Sequence, residues 1–388
     1  MGIVTRGKAA FRKTYPDLKA LLLKQYPGFL YGAKTASSAR MPVPVFCYHG
    51  VEPETFEQNL IYLKENGYSA IGSAAWLNQV KGRGGGAAKA VLLTFDDGDI
   101  SLFRTAFPLL KKYGFKAVSF ICPGLVPEGQ GGAFEESARK LCTWTEIREM
   151  HASGVVDFQC HSFNHDLVFT SDELIGFLNP GFKSQFFGRN DHAVVVDDGI
   201  DISLTNLCSY ETQSAAQHWG APVYQHKPRM AADQRFISSG ELRQKLTDLV
   251  QENGGQEFFR QEDWEKALRD RVSRAGTKGQ GELVKGKDYQ AHVASELERA
   301  KQAIEEKLPG KKVDYLCPPW FVATEDALQT AEAIGFRAAF LGVEQRAASV
   351  GAGHGDMARV QRLSFKYITR LPGKNRTTLL NSILDRSG

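Results

Sequence analysis

The chain has 388 residues, of which 42% are hydrophobic and 24% are charged, and its formal net charge at pH 7 is +4. This composition excludes a disordered or fibrous protein, and the length allows one large domain or two ordinary ones. Because Lys and Arg are not clustered, we expect no nucleic-acid partner.

The N-terminal segment 1–40 is basic and is predicted to be a helical extension. It has no apolar core followed by a small-residue cleavage site, so we expect no signal peptide. No stretch approaches the roughly 18 apolar residues of a membrane span. The cysteines lack C-x-x-C spacing, which is typical of buried free thiols in a reducing compartment. They are Cys47, Cys122, Cys142, Cys160, Cys208 and Cys317. Together these features predict a cytoplasmic protein.

From residue 41 onward, strand-like apolar runs alternate with helical segments, most of which end at glycine. The predicted strands are 43–48, 91–95, 117–122, 155–160, 313–317 and 337–343. The predicted helices are 56–67, 101–114, 143–154, 295–310 and 324–335. Thr143 and Glu146 have the spacing of a capping box at the start of one helix. The alternation predicts an α/β fold with a parallel sheet, and a barrel or a doubly wound sheet would both fit.

The interval 169–288 interrupts this alternation with short acidic, Gly-rich and aromatic patches. It is too long for a plain loop, so we predict an inserted subdomain or lid. Its last part, 276–288, resembles a linker or an exposed loop. The predicted barrel segments are therefore 41–168 and 289–375.

Polar side chains follow several of the predicted strands. Asp96 and Asp97 come directly after 91–95, and His161 and His165 come directly after 155–160. In parallel α/β folds the carboxyl ends of the strands share one rim, so these residues are expected to meet. Asp-Asp-Gly alone is a common turn and His-x-x-x-His alone is a weak ligand signal. Together they predict a zinc-type site in which one aspartate binds the metal and the other stays free beside a water.

These residues also resemble a known family. Thr94-Phe95-Asp96-Asp97-Gly98 and His161-Ser162-x-x-His165 match the first two motifs of the polysaccharide deacetylases, carbohydrate esterases of family four with a NodB-homology domain. Segments 47–51 and 56–68 resemble the family's entry strand and helix. Segment 295–308, before Pro318-Pro319-Trp320, resembles its third-motif region. The resemblance implies a deformed barrel of about seven strands and helices.

The resemblance further implies metal-dependent hydrolysis of an N-acetyl or other N-acyl group on an amino sugar. Carried over by position, Asp97, His161 and His165 would bind a divalent metal, for which we expect zinc. Asp96 would be the general base, and a backbone N–H near Trp320 would help to hold the oxyanion.

Two features of the family are not visible in the sequence. No arginine stands in the stretch Leu316-Cys317-Pro318-Pro319, where many members have one that orients the base. The late Leu-x-His motif that supplies the general acid is also missing. His354, in a Gly-rich segment, and His49, after the first strand, are the candidate acids. The alternative for His49 is a structural histidine at a strand end.

The substrate-binding residues predicted from the sequence are Trp320, Pro319, Tyr48 and Arg229. Trp320 could instead plug the barrel. Arg229, in the aromatic and basic stretch 223–230, would suit a sugar that carries a phosphate, although a solvated basic face is the alternative. We expect the substrate to be an intracellular intermediate of cell-surface polysaccharide synthesis. The alternatives are a deformylase of a lipid- or nucleotide-linked amino sugar, and a catalytically impaired carbohydrate-binding protein.

Overall fold

The structure is a computed structural model that describes residues 19–31, 43–81, 89–129, 141–181, 195–197, 200–202, 216–342 and 357–384. The strands are β1 (Val45–Tyr48), β2 (Ser69–Ala70), β3 (Ala90–Phe95), β4 (Ala117–Ile121), β5 (Val156–Cys160), β6 (Leu167–Phe177), β7 (Val195–Asp197), β8 (Ile200–Ile202), β9 (Pro222–Pro228), β10 (Gln234–Ser238), β11 (Gly281–Lys285), β12 (Tyr315–Leu316), β13 (Ala338–Leu341), β14 (Ala358–Gln361) and β15 (Leu363–Ser364).

The α-helices are α1 (Pro53–Glu65), α2 (Ser73–Val80), α3 (Phe107–Tyr113), α4 (Trp144–Ala152), α5 (Gly240–Glu252), α6 (Trp264–Gln280), α7 (Gly286–Lys307), α8 (Glu325–Ala333) and α9 (Leu379–Leu384). A π-helical turn, Leu102–Ala106, precedes α3. Short 3₁₀ turns lie at Gly28–Tyr31, Pro123–Leu125, Arg229–Ala231, Gly255–Arg260, Pro319–Phe321 and Phe365–Arg370. None of the described helices combines the length and the apolar character that crossing a bilayer requires.

The largest sheet follows the order β14-β13-β12-β5-β4-β3-β1-β15, with β2 paired to β3 at one side. Every pairing in it is parallel. Its first and last strands, β14 and β15, are separated in the chain only by Arg362. The predicted deformed α/β barrel is confirmed, with eight strands along this path in the described part of the chain rather than seven.

Successive side chains of each barrel strand point alternately into the barrel interior and toward the layer beneath the helices. A compact apolar cluster combines Leu92, Phe120, Phe340 and Val360 with Trp76 of α2. Val91, Leu93 and Phe95 belong instead to the larger cluster formed with the helices. Because successive side chains of a strand point to opposite faces, the residues at even positions of β3 face the interior, and Asp96 continues that series.

The helices follow local signals in the sequence. Thr143 caps α4 through a complete capping box with Glu146, as predicted. Gly114 ends α3 in the left-handed conformation, with φ of 70°, where a side chain would be strained. The predicted helix 101–114 is divided into the π-helical turn and α3, whereas α7 begins well before the predicted residue 295.

Two smaller sheets occupy much of the region after β5. One has the order β8-β7-β6-β9, and the other pairs β10 with β11. The prediction of a linker or exposed loop at 276–288 is wrong, because this stretch contains β11, which pairs antiparallel with β10, and the start of α7. The subdomain boundaries 169 and 288 stay a prediction.

This region also contacts the barrel. Met230, just after β9, is buried in the main core, and its carbonyl accepts a hydrogen bond from the N–H of Thr324 at 2.7 Å. Of the predicted N-terminal extension only 19–31 is described, and Phe29 and Leu30 are buried in the same core. Five cysteines are free thiols, and Cys208 lies outside the described residues.

Candidate functional site

The two aspartates leave β3 in different directions. The N–H of Asp96 donates to the carbonyl of Tyr48 at 3.0 Å, so the hydrogen bonding between β3 and β1 continues as far as Asp96. The Asp96 side chain is completely buried. Asp97 has φ of 66°, in the left-handed region, and Gly98 N–H then donates to the Asp96 carbonyl. This tight turn separates the two carboxylates although they are neighbours in sequence.

The turn after β5 brings both predicted imidazoles to Asp97. The Nε2 atoms of His161 and His165 lie 3.4 Å and 3.7 Å from Asp97 Oδ1. One ligand atom from each of the three residues lies within 4.8 Å of the others. The Nδ1–H of His161 donates to the Cys317 carbonyl at 2.6 Å, which fixes Nε2 as the nitrogen that faces Asp97.

The charges of this cluster suit a divalent cation. Asp97 Oδ1 is buried and has no hydrogen-bond partner among the described residues. Burial opposes its ionisation, but His161 and His165 outweigh this effect and lower the pKa of Asp97. Burial lowers the pKa of His165 to about 4, so its imidazole is neutral at pH 7. One carboxylate and two imidazoles with an orphaned oxygen between them could hold a zinc-like ion with an open position.

Asp96 is paired with an arginine that the sequence analysis did not assign to the site. Arg362, between β14 and β15, donates from Nη1 to Asp96 Oδ1 at 2.7 Å and from Nη2 to Oδ2 at 2.8 Å. Both side chains are buried. Burial opposes ionisation of Asp96, but Arg362 and then His161 outweigh it and hold the pKa of Asp96 below its usual value.

Aromatic and sulfur groups surround this ion pair. The Phe321 ring lies 4.3 Å from the Arg362 guanidinium carbon and 5.7 Å from the His49 ring. Arg362 Nη2 also donates to Cys317 Sγ at 2.8 Å, and Cys47 Sγ lies 3.6 Å from Asp96 Oδ2. The guanidinium is therefore held on several sides, which fixes the orientation of the Asp96 carboxylate.

His49 lies on the solvent side of Asp96. Its Nε2 atom is 3.9 Å from Asp96 Oδ2, and 54% of its side chain is exposed. The other candidate acid, His354, lies outside the described residues.

The backbone around the site is strained. Among the described residues with positive φ that are not glycine, five belong to the loops of this site. They are Asp97, Ser162, His165, Trp320 and Phe321. Such conformations cost about 1–3 kcal/mol each and persist only where the surrounding structure holds them. Ser162 supplies one such restraint, because its Oγ accepts from the N–H of His165 at 3.0 Å.

Three of the four predicted substrate-binding residues are buried, so for these three substrate contact stays a prediction without support from their accessibility. The ring of Tyr48 lies in the layer beneath the helices, where it stacks on Phe95 and Phe365. Neighbouring residues of a strand point to opposite faces, so Tyr48 points away from the site and His49 points toward it. Pro319 is also buried. Arg229 forms a buried ion pair with Asp166, so its charge is already neutralised.

Trp320 is the predicted substrate-binding residue that stays partly exposed. Its ring lies 4.3 Å from the His165 ring, and its other contacts include the apolar cluster of β6 and β9. This position beside an imidazole agrees better with a wall of the site than with a plug of the barrel, whose interior is filled by Trp76.

The sequence does contain a signal for Arg362. Ala358 and Val360 both face the barrel interior, and Arg362 continues the same two-residue alternation. A cation that follows an inward-facing apolar series at the end of a strand needs a buried anion. Asp96 is that anion.

Part of the chain is similar to known proteins. Residues 83–175 match the family described as Polysaccharide deacetylase. Proteins named poly-beta-1,6-N-acetyl-D-glucosamine N-deacetylase are similar to this chain. The one from Staphylococcus aureus (strain N315) is 29% identical over 119 residues. This alignment covers 31% of this chain and 38% of the relative. The chain is related to the polysaccharide deacetylases.

A second relative of the same name, from Escherichia coli (strain K12), is 28% identical over 163 residues, 38% of this chain and 24% of the relative. The chain thus spans well under half the length of the curated relatives it matches. Solved structures that are similar include the BpsB deacetylase domain from Bordetella bronchiseptica, with a TM-score of 0.48, 15% identity, and 82% of this chain and 94% of that chain covered. A de-N-acetylase from Aggregatibacter actinomycetemcomitans has a TM-score of 0.48, 16% identity, and 88% and 99% covered.

Proposed function

We propose that this protein is a metal-dependent amidohydrolase that removes the N-acetyl group from an amino sugar in a polysaccharide or oligosaccharide. The observation that carries the proposal is the pair of neighbouring carboxylates with different partners. Asp97 faces two imidazoles, and Asp96 is held ionised by Arg362 within the same site. This division of roles is what metal-assisted hydrolysis with a separate general base requires.

Asp97, His161 and His165 are proposed to hold the metal, and zinc is the ion we propose. When bound, a divalent cation supplies Lewis acidity, which makes water easier to deprotonate and polarises the amide carbonyl. The hydrogen bond from His161 Nδ1 to the Cys317 carbonyl keeps the imidazole oriented for this task. The strained turn that carries both imidazoles limits their freedom before the metal arrives.

Asp96 is proposed to act as the general base. Arg362 keeps the carboxylate ionised at neutral pH, so that its Oδ2 oxygen can accept the proton of the attacking water. His49 is proposed to act as the general acid, donating from Nε2 to the nitrogen of the departing amine. Its ring stands beside Asp96 Oδ2 and is open to solvent, where the sugar would enter.

The proposed substrate is a sugar without a required phosphate. The case for a phosphate depended on Arg229 and its neighbours, and Tyr224, His226 and Arg229 are all buried. The printed name of the relatives, which specifies a polymer of N-acetylglucosamine, supports an amino-sugar polymer as the first substrate class to test. A formyl group would meet the same polar atoms, so an N-formyl amino sugar, from which formate would be released, belongs in the same assay.

The alternative of an impaired carbohydrate-binding protein depended on two missing residues. Arg362 now supplies the cation beside the base, and His49 supplies a candidate proton donor. Both therefore favour an active enzyme over a binding protein.

The test is hydrolysis by the full chain. The protein is stripped with a chelator, reloaded with Zn²⁺ or Co²⁺, and incubated with β-1,6- and β-1,4-linked N-acetylglucosamine oligosaccharides and with a nucleotide-linked N-acetylglucosamine. We expect acetate release from at least one oligosaccharide, loss of release after chelation, and recovery on adding metal. Absence of release from every sugar by protein that binds the metal would overturn the proposal. Release only from the nucleotide-linked sugar would replace the polymer by a small intermediate.

A further inference from the structure

Both imidazoles of the proposed metal site lie on one short turn, residues 161–166 between β5 and β6, which we call the ligand turn. Ser162 and His165 in this turn have φ of 67° and 55°. Side chains disfavour this conformation, so the turn is strained and needs contacts from outside to keep its shape.

Helix α7 contacts the middle of the ligand turn. Glu296 Oε1 accepts a hydrogen bond from the backbone N–H of Phe163 at 2.5 Å. Its second oxygen, Oε2, is buried and has no hydrogen-bond partner among the described residues. One turn of helix further on, the guanidinium carbon of Arg299 lies 3.8 Å from the centre of the Phe163 ring. The backbone amide between the two imidazoles is therefore tied to a long helix.

The opposite side of the turn packs on Gly124. Gly124 N–H donates to the Phe163 carbonyl at 2.9 Å. A Cβ atom at residue 124 would fall 2.2 Å from Asn164 Oδ1 and 2.4 Å from Phe163 Cε1, so a larger residue would force these side chains of the turn to shift. The Phe163 peptide groups are thus held from both sides, by Glu296 and by Gly124.

The end of the turn is fixed by Asp166, the residue after His165. Asp166 Oδ2 accepts from Arg229 Nε at 2.9 Å and also from Arg229 Nη2. Tyr289, at the start of α7, donates from its hydroxyl to the Arg229 carbonyl at 2.5 Å. Helix α7 therefore supports the ligand turn at two points, directly through Glu296 and indirectly through Tyr289 and Arg229.

We propose that Glu296 is a positioning residue for the metal centre: it holds the ligand turn so that His161 and His165 converge on the cation. This role rests on the proposed function, because it requires that the cluster of Asp97, His161 and His165 binds a divalent metal. Glu296 touches neither imidazole and acts through the Phe163 peptide. Its loss allows the strained turn to relax, which separates the two ligands before metal binding and weakens the affinity for the ion.

The experiment is a titration of the metal-free full chain with Co²⁺, followed by its d–d absorption bands and by calorimetry. For Glu296→Ala we expect a dissociation constant about 10–100-fold higher and altered d–d bands, because the coordination geometry changes. Glu296→Gln keeps an oxygen that can accept from Phe163 N–H, so we expect it to recover part of the affinity. The matched control is Glu298→Ala on the exposed face of the same helix, which should bind Co²⁺ as the wild type does.

The outcomes separate this proposal from the proposed function. If the wild type binds Co²⁺ and Glu296→Ala binds it with the same affinity and the same spectrum, the positioning role is overturned even where the melting temperature has fallen. If Glu296→Ala does not fold, Glu296→Met decides, because it keeps the length of the side chain and removes the acceptor for Phe163 N–H. Unchanged affinity and bands in Glu296→Met overturn the role, and a weaker, shifted complex supports it. If the wild type itself binds no Co²⁺, the metal site fails and this inference fails with it.

Discussion

Asp96 and Asp97 are neighbours in the chain, yet the two sides of the site around them are built differently. On the Asp96 side, Arg362 supplies a permanent counter-charge, and both carboxylate oxygens accept its hydrogen bonds. On the Asp97 side, two imidazoles face a carboxylate oxygen that has no hydrogen-bond partner among the described residues. One carboxylate is neutralised by the protein, and the other is the one that we propose binds an exchangeable cation.

This difference explains how two adjacent carboxylates can both stay ionised at close range. Like charges raise each other's pKa unless a positive group stands near each of them. Arg362 and the histidines lower the pKa of Asp96 and Asp97, respectively, against the effect of burial. In the proposed mechanism the base must keep its lone pair free of the metal, and Arg362, which donates to both oxygens of Asp96, would hold this carboxylate away from the ion.

The largest expected effect separates the two aspartates. Asp96→Asn should lower kcat/KM by about 10⁴-fold, the upper end for loss of a general base, and should leave Zn²⁺ binding intact. Asp97→Asn should abolish activity by losing the metal. Metal content by mass spectrometry, measured beside acetate release, distinguishes the two. If Asp96→Asn lost the ion as readily as Asp97→Asn, the proposed division of roles would be wrong.

The next effect concerns proton delivery to the leaving amine. His49→Gln should lower kcat by about 10²–10³-fold, because the amine then departs without a positioned donor. Binding of Zn²⁺ should not change, since His49 is not among the proposed ligands. His151→Gln, at the end of α4, is the control. Equal turnover in His49→Gln and wild type would remove His49 as the acid and leave His354 as the candidate.

Arg362→Met should move the pH dependence of the base. Without the guanidinium, only the nearby imidazoles oppose the effect of burial, so the pKa of Asp96 rises and the carboxylate stays protonated to higher pH. We expect kcat/KM at pH 7 to fall on the order of 10²-fold and the acidic limb of the pH–rate profile to move upward.

Loss of one partner of this buried pair should also lower the free energy of unfolding by about 3–5 kcal/mol. The control is Arg359→Met on the adjacent strand β14, because Arg359 pairs with the half-exposed Glu325 outside the site. An unchanged acidic limb in Arg362→Met would show that Arg362 does not set the ionisation of Asp96.

The smallest effect is expected for the ring that covers the guanidinium. Phe321→Leu removes a cation–π contact of about 0.5–2 kcal/mol, so kcat/KM should fall by up to roughly tenfold. The acidic limb should move in the same direction as in Arg362→Met, but by less. Phe259→Leu, in the apolar cluster of α5 and α6, serves as the control for loss of a half-buried ring. A Phe321→Leu profile identical to wild type would limit the ring to packing.

The sequence predicted six of the eight described strands on the main path of the sheet, five of the nine described α-helices, and the residues around the proposed metal, because these depend on local patterns. Short runs with apolar residues at consecutive or alternating positions define β3, β4 and β5, and in a parallel sheet the residues after them must share one rim. The family motifs then distinguished Asp96 from Asp97.

Long-range pairs could not be predicted in the same way. Arg362 and Asp96 are 266 residues apart, and their contact follows only from the order in which the strands close the barrel. Arg229 stands in a basic and aromatic stretch that resembles a surface, and only the fold reveals that Asp166 neutralises it. Tyr48 and His49 differ in accessibility because the strand turns one inward to the core and the other toward the rim, which needs the register of β1.

Arg362 is also the single residue between β14 and β15, the two ends of the main sheet. The place where the barrel is joined is therefore the place where the proposed base receives its counter-ion. Warming that loosens the chain between β14 and β15 would break the hydrogen bonds from the guanidinium to Asp96 before the rest of the barrel unfolds. Heat inactivation should accordingly precede the loss of secondary structure measured by circular dichroism.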